Sequence, residues 1–451
     1  MRTAYDAIIV GGGPAGATAA ALLARAGWAV ALIEKQAFPR RKVCGECIAA
    51  SNLPLLAAIG IDAAAFDTLA GAPLRRVALM QGARSTVFDL PAAHRAGMEW
   101  GRALGRETLD TMLIGQARAA GATLWQPWVV ESLEGGPGAH RCTVHDSTST
   151  STSARCAVLT APVAILANGS WEVLRAQRER RRAQRRPSDL FAFKANFREA
   201  ALPPGLLPVL SFSGGYGGMV VADAGITTLA CCVRSDRLDR LRRASPGRPA
   251  GEVVEALLRR ECRGVDDALR TAVRDGPWLA SGPLDPGVRV RGDDQVFRIG
   301  NAAGEAHPII GEGMSMAMQS AWLLCAHLLA SAPGASAESD RIGPAEPAAL
   351  WQRGVARRYA SAWRHHFAAR LRLAAVFAHA AMRPHLSAPL LHAARRWPAI
   401  VTRGARWCGK IRTVPDAATI ASLTPRAGAP RDLPGPAQAH PAGASALPSS
   451  T

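Results

Sequence analysis

The sequence predicts an α/β fold: a Rossmann-type parallel sheet, an inserted, mostly antiparallel α+β sheet domain, and a C-terminal helical region. Two glycine-rich turns, each between an apolar strand and a helix, indicate the parallel sheet; they lie at residues 11–16 and 300–313. Between these turns the chain contains many short alternating strands, which are typical of an antiparallel sheet with one buried face. A basic stretch with helical periodicity follows the second turn and predicts the helical region.

The first turn has the spacing of a dinucleotide fingerprint. Asp6–Val10 predicts a buried parallel strand and residues 14–26 predict a helix. Between them, Gly11 allows a tight turn, Gly13 admits a pyrophosphate close to the backbone, and Gly16 lets the helix pack on the strand. The helix N-terminus offers free N–H groups and a partial positive charge to phosphate.

An acid ends the second predicted strand, Trp28–Ile33. This residue, Glu34, lies eighteen residues beyond Gly16, where a carboxylate can accept both ribose hydroxyls and repels a 2′-phosphate. We therefore expect FAD or NAD rather than NADP here, with Glu34 and the adjacent Lys35 among the cofactor-binding residues. The alternative, a glycine-rich turn without a ligand, does not account for the strand, helix and acid together.

Length and composition exclude several classes of protein. A chain of 451 residues suits two or three domains, and its hydrophobic content of 48% is ordinary for a globular protein. The first strand begins too early for a signal or transit peptide, and no apolar run has transmembrane length. Nine cysteines lack the spacing of a disulfide framework. We expect a cytoplasmic protein with reduced thiols.

The net charge of +19 comes from two segments. Residues 171–187 hold seven Arg and two Glu, and residues 347–415 hold twelve Arg and one Lys with no acid. Because the rest of the chain is nearly neutral and carries no basic-aromatic module, we do not expect a nucleic-acid partner.

The loop after Glu34 carries candidate ligands for phosphate and a pair of cysteines. Residues Arg40 to Lys42 could place three cations near the pyrophosphate. Cys44 and Cys47 form a CxxC pair, for which a redox dithiol, half of a zinc site and two unreactive thiols are the alternatives. No second pair or suitably spaced histidine follows, so we expect no metal.

The middle of the chain predicts strands that leave the parallel sheet and return to it. Two strands are expected over Val77–Leu90, and further strands over 123–130, 162–166, Leu190–Phe197 and Val220–Val233. A helix is expected over 105–120, two helices near 252–260 and 266–273, and an exposed Ser/Thr-rich hairpin tip at 147–153. The predicted domains are a nucleotide domain (1–75, 100–170 and 290–332), a substrate-facing sheet domain (76–99 and 187–289), a basic helical region (345–415) and a disordered tail (424–451).

The second turn follows a last apolar strand. It runs from Gly300 and Asn301 through His307 and Pro308 to Gly311, Gly313 and Met314, and a helix continues to about residue 329. A turn of this kind can hold an anionic or polyol group, although an ordinary tight connection has the same pattern. Two such turns separated by a sheet domain suit a large dinucleotide such as FAD, because one can bind the pyrophosphate and the other the ribityl chain and ring.

The helical region contains one long helix with an apolar stripe. Its members recur at every fourth position: Trp351, Val355, Tyr359, Trp363, Phe367 and Leu371. Arginines lie off this stripe. The helix either packs on the domain with a solvated basic face or contacts an anionic membrane surface.

These motifs together resemble the FAD-dependent oxidoreductases of the para-hydroxybenzoate hydroxylase fold, which include aromatic-ring monooxygenases, flavin halogenases and geranylgeranyl reductases. The resemblance covers roughly residues 3–412. It rests on GGGPAG with Glu34, on residues 38–46, on Arg106 with Leu109 and Asp110, and on GNAAG through Met314. The combination identifies the fold and the cofactor but not the reaction.

The resemblance implies roles for individual residues. Ala15 and Glu34 should contact the adenosine half of FAD, and Val130 should hold the adenine through its backbone. Arg106 should reach the phosphates or the ring. Gly313 and Met314 should offer backbone N–H groups to the flavin, while Asn301 replaces the aspartate that the family usually places on the ribityl hydroxyls.

Several branches of the fold compete. Cys44 and Gly45 resemble the loop of geranylgeranyl reductases, whereas the strand around Tyr216 lacks their aromatic-rich pattern. A WxWxIP motif, which flavin halogenases carry, is absent, so we do not expect halogenation. We expect Glu46, His307 and Tyr216 to flank the ring, and we assign none of them as a proton donor.

We predict an FAD-dependent monooxygenase, fed transiently by NADH or NADPH, that hydroxylates an apolar or aromatic small molecule such as a polyketide- or isoprenoid-like lipid. The first alternative is a reductase of carbon–carbon double bonds, with Cys44 near the flavin as a candidate proton donor or as a group that tunes the flavin. The second is a non-catalytic flavoprotein that docks through the basic helical region, in peripheral contact with the inner face of a membrane.

Overall fold

The computed structural model describes residues 2–148, 155–170, 186–330 and 345–423. Three expectations concern residues largely or wholly outside these ranges: most of the Ser/Thr-rich hairpin tip, most of the first basic segment, and the tail beyond residue 423.

Five parallel strands form the first sheet: β1 (Ala7–Val10), β2 (Val30–Ile33), β7 (Thr123–Trp125), β11 (Val163–Leu166) and β19 (Phe297–Arg298). Their order across the sheet is β19–β11–β1–β2–β7. Every residue of β1, β2 and β11 is buried, which explains their continuous apolar runs. Helix α1 (Pro14–Arg25) packs against α4 (Arg106–Ala119) and α8 (Gly313–Ala330). The predicted α/β fold class is confirmed.

A second, three-stranded antiparallel sheet contains β8 (Trp128–Gly136), β9 (Ala139–Asp146) and β10 (Cys156–Ala161). The prediction of one strand over residues 123–130 is therefore wrong, because β7 and β8 belong to different sheets. Pro127 lies between them and has no N–H group with which to continue a ladder.

The large sheet has eight strands: β4 (Arg76–Gln81), β5 (Arg84–Asp89), β12 (Leu190–Arg198), β13 (Leu206–Phe212), β14 (Gly215–Ala222), β15 (Ile226–Arg234), β16 (Val273–Arg274) and β17 (Leu279–Ser281). The order is β16–β12–β15–β14–β13–β4–β5, and β17 also pairs with β12. The β4–β13 pair is parallel, and it joins two stretches that are far apart in the chain. The other pairs of this sheet are antiparallel, as predicted.

The remaining elements before the second turn are short helices and two-stranded pairs. The helices are α2 (Leu53–Ala58), α3 (Ala63–Leu69), α5 (Ser235–Ala244), α6 (Ala250–Glu261) and α7 (Arg263–Leu269). The pairs are β3 (Cys47–Ile48) with β6 (Arg102–Ala103), and β18 (Gly287–Val288) with β20 (Gly304–Glu305). The helix predicted over 266–273 ends early at Leu269, because Val273 pairs with Arg198 in the large sheet.

Four helices form the described C-terminal region: α9 (Ala345–Ala381), α10 (Pro384–Arg396), α11 (Ala399–Trp407) and α12 (Ala417–Leu423). The apolar stripe of α9 packs into the main core, where Val355, Trp363 and Phe367 are at most 1% exposed. This stripe is therefore a packing surface. Within the described ranges, no helix combines the length and apolar content needed to cross a bilayer.

Candidate functional site

A cavity of about 1310 Å³ extends from the glycine-rich turns of the first sheet to the large sheet and the C-terminal helices. The predicted site residues that line it are Gly11, Gly13, Ala15, Glu34, Lys35, Cys44, Gly45, Arg106, Val130, Gly300, Asn301, Gly311, Gly313 and Met314. Gly16 lies beneath the lining, where helix α1 meets strand β1. The fold thus brings together residues that are distributed over three hundred positions of the chain.

A different structural constraint applies at each of the three glycines of the first turn. At Gly11 the backbone φ is +109°, and a Cβ would lie 2.5 Å from the Ala167 carbonyl oxygen. A Cβ on Gly16 would overlap the carbonyl oxygen of Gly11. At Gly13 a Cβ would instead point toward two guanidinium groups, 3.6 Å from Arg106 Nη2 and 4.0 Å from Arg40 Nη2. Two glycines therefore fix the turn, and the third leaves space beside positive charge.

The Glu34 carboxylate is held in place by the turn itself. It is 5% exposed, and its Oε2 accepts a hydrogen bond of 2.9 Å from the Gly12 N–H. Its Oε1 accepts one of 3.0 Å from the Gln36 N–H. Arg40 Nη2 lies 3.4 Å from Oε2. A carboxylate fixed on the cavity wall in this way can accept further hydrogen bonds from a ligand's hydroxyls.

Cations outnumber anions beside the first turn. Arg106 forms a two-point ion pair with Asp110, at 2.7 and 2.6 Å. Arg40 Nη1 lies 3.3 Å from the same carboxylate, yet Nη1 and Nε of Arg40 are buried without a hydrogen-bond partner among the described residues. Burial, followed by repulsion from Arg40, lowers the pKa of Lys42 to about 8. A bound anion would accept hydrogen bonds from these buried donors and would balance the surplus positive charge.

The expectation that Arg41 belongs to this cluster is wrong. Its guanidinium turns toward Glu107, with Nε at 2.8 Å, and toward Asp275, with Nη2 at 2.9 Å. Arg41 therefore ties the loop at 35–47 to the edge of the large sheet. Its charge is neutralised by two carboxylates and is not available to phosphate.

The CxxC pair consists of two free thiols with different surroundings. Cys44 is half-buried on the cavity wall, and its Sγ accepts a hydrogen bond from the Glu46 N–H at 3.4 Å. Cys47 is buried; its thiol donates to the Gly45 carbonyl, and burial raises its pKa to about 12. In the described part of the chain, no group of three or more histidine, cysteine or acidic side chains could hold a metal ion.

A buried ion pair connects the cysteine loop to the large sheet. The Glu46 carboxylate accepts hydrogen bonds from the Lys194 ammonium, the Thr228 hydroxyl and, at 3.1 Å, the Arg106 backbone N–H. Lys194 is 2% exposed and Glu46 3%. The sequence analysis missed Lys194; the available signal was a lysine in the apolar strand Leu190–Arg198, where burial requires a partner.

The second turn carries a carboxylate that the sequence analysis also missed. Asn301 Nδ2 donates to Ser170 Oγ at 3.0 Å, and Ser170 Oγ donates to Glu305 Oε1 at 2.9 Å. Burial raises the pKa of Glu305, although Arg289 at 3.4 Å opposes this shift. Glu305 therefore places an acidic group on the cavity wall near Asn301. The sequence signal was an acid four residues after the unusual asparagine.

A lysine of the C-terminal region contacts residues of the second glycine-rich turn. Lys410 Nζ lies 3.0 Å from the fully buried Glu312 and donates to the Ile310 carbonyl at 2.7 Å. Gly313 starts helix α8, and a Cβ there would meet no atom within 4 Å. The basic helical region is therefore part of the cavity's structure as well as its surface.

A tyrosine of the cavity wall contacts a buried histidine that lies outside the lining. Tyr216 lines the cavity, and its hydroxyl lies 3.2 Å from His307 Nδ1. Burial raises the pKa of Tyr216. Burial, followed by repulsion from His379, lowers the pKa of His307 to about 4, so this imidazole is neutral at pH 7. The ring centroids of His307 and His379 are 5.8 Å apart.

The polar end of the cavity fits a dinucleotide. Arg40 Nε and Nη1, which donate no hydrogen bond within the described residues, and the open position at Gly13 suit a diphosphate. The fixed Glu34 carboxylate suits ribose hydroxyls. Gly45 and Gly313 also face open space, since a Cβ on either would meet no atom within 4 Å.

Comparisons with known proteins agree with this fit. A family model described as "FAD binding domain" matches residues 4–269. Among curated proteins, the chain is 25% identical over 335 residues to conditioned medium factor receptor 1 of Dictyostelium discoideum, covering 70% of this chain and 61% of that protein. It is 37% identical over 123 residues to digeranylgeranylglycerophospholipid reductase of Methanosphaerula palustris, covering 27% and 29%. It is 33% identical over 136 residues to flavin-dependent halogenase armH3 of Armillaria mellea, covering 29% and 26%. The chain thus spans less than two thirds of each of these relatives.

Solved structures share the fold at low sequence identity. The flavin-dependent brominase Bmp2 superposes with a TM-score of 0.67 at 16% identity, covering 93% of this chain and 97% of that one. A geranylgeranyl bacteriochlorophyll reductase-like protein of Thermoplasma acidophilum gives 0.59 at 17%, covering 93% and 95%. The probable FAD-dependent monooxygenase pqsL of Pseudomonas aeruginosa superposes with a TM-score of 0.58 at 18% identity, covering 82% of this chain and 96% of that one. The predicted resemblance to this fold is confirmed, and these neighbours do not decide between the reactions.

Proposed function

Because this chain belongs to the FAD-binding domain family, we propose that it is an FAD-dependent monooxygenase, fed by NADH or NADPH, that hydroxylates an apolar or aromatic small molecule. In this reaction one oxygen atom of dioxygen enters the substrate and the other leaves as water, with the nicotinamide supplying the two electrons.

The observation that carries the proposal is the apolar end of the cavity. Beyond the dinucleotide end, its walls come from strands β4, β13 and β14 and from helices α10 and α11. The lining side chains there include Val77, Leu79, Leu207, Val209 and Leu390. Such walls bind apolar groups and exclude water, which a reactive oxygen species requires.

The chain's own residues would position the cofactor and shield the reaction. Gly13, Arg40 and Arg106 would hold the diphosphate, Glu34 the ribose of the adenosine, and Asn301 the polyol chain. Bound FAD supplies hydride acceptance and activation of dioxygen, chemistry that no side chain of the cavity can supply. The large sheet supplies the substrate-facing wall, and the Glu46–Lys194 pair fixes this wall to the cofactor loop.

Reduction and reoxidation of the FAD-loaded protein test the proposal. The protein is reduced anaerobically with NADH or NADPH and mixed with labelled dioxygen in the presence of a panel of phenols, polyketide-like aromatics and isoprenoids. We expect one labelled oxygen in a hydroxylated product. Reoxidation without labelled product across the panel, or a protein that binds no FAD, would contradict the proposal.

A reductase of carbon–carbon double bonds is the second candidate, favoured by proton donors on the cavity wall. Such a reaction adds a hydride, supplied by the nicotinamide through FAD, to one carbon and a proton to the other. Cys44 and the Tyr216 hydroxyl, which contacts His307, line the cavity and could deliver that proton. The partial match to digeranylgeranylglycerophospholipid reductase also supports it. Under anaerobic conditions, a saturated product from an isoprenoid, with slower turnover in Cys44→Ser or Tyr216→Phe, would favour this candidate over hydroxylation.

A further inference from the structure

Exposed apolar side chains are concentrated in the C-terminal helices. Twelve large hydrophobic residues of the described chain are more than a third exposed, and eight of them belong to residues 350–407. Helix α11 has no buried residue, although it carries Ile400 and Trp407. Trp397, just before this helix, is 58% exposed and Trp407, at its end, is 69% exposed. Clustering of this kind marks a contact surface, whereas single exposed residues do not.

The segment that carries most of these side chains is also strongly basic. Residues 382–413 contain six Arg and one Lys and no Asp or Glu. Four of the arginines are exposed on α10 and α11. We call the following set the basic apolar patch: Leu386, Leu390, Arg395, Arg396, Trp397, Ile400, Arg403, Arg406 and Trp407.

We propose that the basic apolar patch docks this protein on an anionic lipid bilayer. Helices that lie in a bilayer surface combine Trp and aliphatic residues, which enter the headgroup boundary, with arginines that reach the lipid phosphates. The guanidinium of Arg396 lies 5.9 Å from the ring centroid of Trp397, so cation and aromatic ring are presented together. The stripe of α9 is not involved, since it is buried in the core.

The charge pattern argues against a second copy of the chain as the occupant. A two-fold contact through this patch would place each positive patch against itself, because the same surface serves both partners. Nucleic acid would pair with the arginines but would leave Leu386, Leu390 and Ile400 uncovered. An anionic bilayer satisfies both the charges and the aliphatic side chains.

The patch also adjoins the cavity. Leu390 and Ile400 are 55% and 52% exposed, and both line the cavity as well. A bilayer docked here would therefore face an entrance to the apolar end, through which a membrane-dissolved substrate could enter without crossing water. This delivery route rests on the proposed function, whereas the docking itself does not.

Vesicle sedimentation tests the docking without any turnover. The FAD-loaded full chain is mixed with phosphatidylcholine vesicles containing one quarter phosphatidylglycerol, and with phosphatidylcholine alone. We expect binding to the anionic vesicles that weakens as salt is raised. Arg395→Ser with Arg396→Ser should weaken the partition coefficient about thirty-fold, because each surface cation contributes about fivefold. Trp397→Ala with Trp407→Ala should weaken binding at high salt as well.

Matched controls separate the patch from general charge. Arg242→Ser with Arg243→Ser removes two exposed cations from α5, and Val273→Ser removes an exposed apolar residue at the edge of the large sheet opposite β5. Both controls should bind vesicles within about threefold of the wild type. Absence of binding by the wild type, equal losses in the controls, or a dimer that the tryptophan double variant abolishes would overturn the proposal. Binding without any hydroxylated product would leave the docking intact and contradict the proposed function alone.

Discussion

The two ends of the cavity are built in opposite ways. At the dinucleotide end, short segments supply glycines, carboxylates and guanidinium groups whose positions are fixed by ion pairs and backbone hydrogen bonds. At the other end, strands from the large sheet and helices α10 and α11 supply mainly apolar side chains, with Tyr216 among the few polar ones. The first end is suited to one charged ligand, while the second can accept apolar molecules of different shape.

This difference indicates at which positions single substitutions should change stability or ligand binding most. Charged and strained positions tolerate little change, because a lost partner leaves a buried charge or donor unpaired. Apolar walls tolerate changes of similar volume better.

Lys194→Met should have the largest effect on stability. It leaves the Glu46 carboxylate buried at the junction of the two ends without its cation, and we expect a loss of about 3–5 kcal/mol in the free energy of unfolding. Urea denaturation measures it. Adding Glu46→Gln should recover part of the loss, because the uncompensated charge is removed. As a control, Arg270→Met, at an exposed ion pair with Asp267, should change stability by about 1 kcal/mol or less. An equal loss of unfolding free energy in Lys194→Met and Arg270→Met would contradict the stabilising role of the Glu46–Lys194 pair.

Glu34→Gln should weaken FAD binding ten- to hundred-fold, since hydrogen bonds to a charged group contribute about 1.5–3 kcal/mol. Fluorescence titration of the FAD-free protein measures the dissociation constant. Glu134→Gln, an exposed carboxylate on β8 outside the cavity lining, should leave it unchanged. An unchanged constant in Glu34→Gln would remove this residue from the proposed ligand set.

Gly16→Ala and Gly115→Ala should shift stability in opposite directions. The first Cβ overlaps the Gly11 carbonyl oxygen and must push α1 from the sheet, at about 1–3 kcal/mol. The second meets no atom within 4 Å on the exposed face of α4, and alanine there should stabilise the helix by up to about 1 kcal/mol. Thermal denaturation compares the two variants. Stabilisation in both would show that helix propensity alone decides, and destabilisation by Gly115→Ala would contradict the open space at that position.

His307→Gln should flatten the acid side of the stability profile. The pKa of His307 is about 4 in the folded protein, below its ordinary value of 6.5, so the unfolded chain binds the extra proton between these values. Stability should therefore fall as pH drops from 6.5 to 4, by up to about 1.4 kcal/mol per pH unit from this residue. Urea denaturation at several pH values should show the smaller slope in His307→Gln, and not in His385→Gln on the exposed side of α10. An unchanged slope would contradict the burial of a neutral imidazole.

The dinucleotide end could be predicted because its signals are local. A strand, three glycines, a helix and an acid occupy residues 6–34, and each position has a geometric requirement that few residue types meet. Lys194 and Glu305 were missed for the opposite reason, since their partners Glu46 and Ser170 are more than a hundred positions away. Arg41 was misplaced because sequence adjacency to Arg40 does not fix the direction of a side chain.

The α/β class, the two glycine-rich turns and the cofactor family follow from local sequence, because they depend on backbone geometry over a few consecutive residues. The folded chain was needed to show that β4 pairs in parallel with β13, that the stripe of α9 is buried, and that α10 and α11 form a wall of the cavity. These outcomes depend on which distant apolar surfaces meet. Burial is non-directional, so the same amphipathic pattern suits a domain core or a membrane until the fold supplies the neighbouring surface.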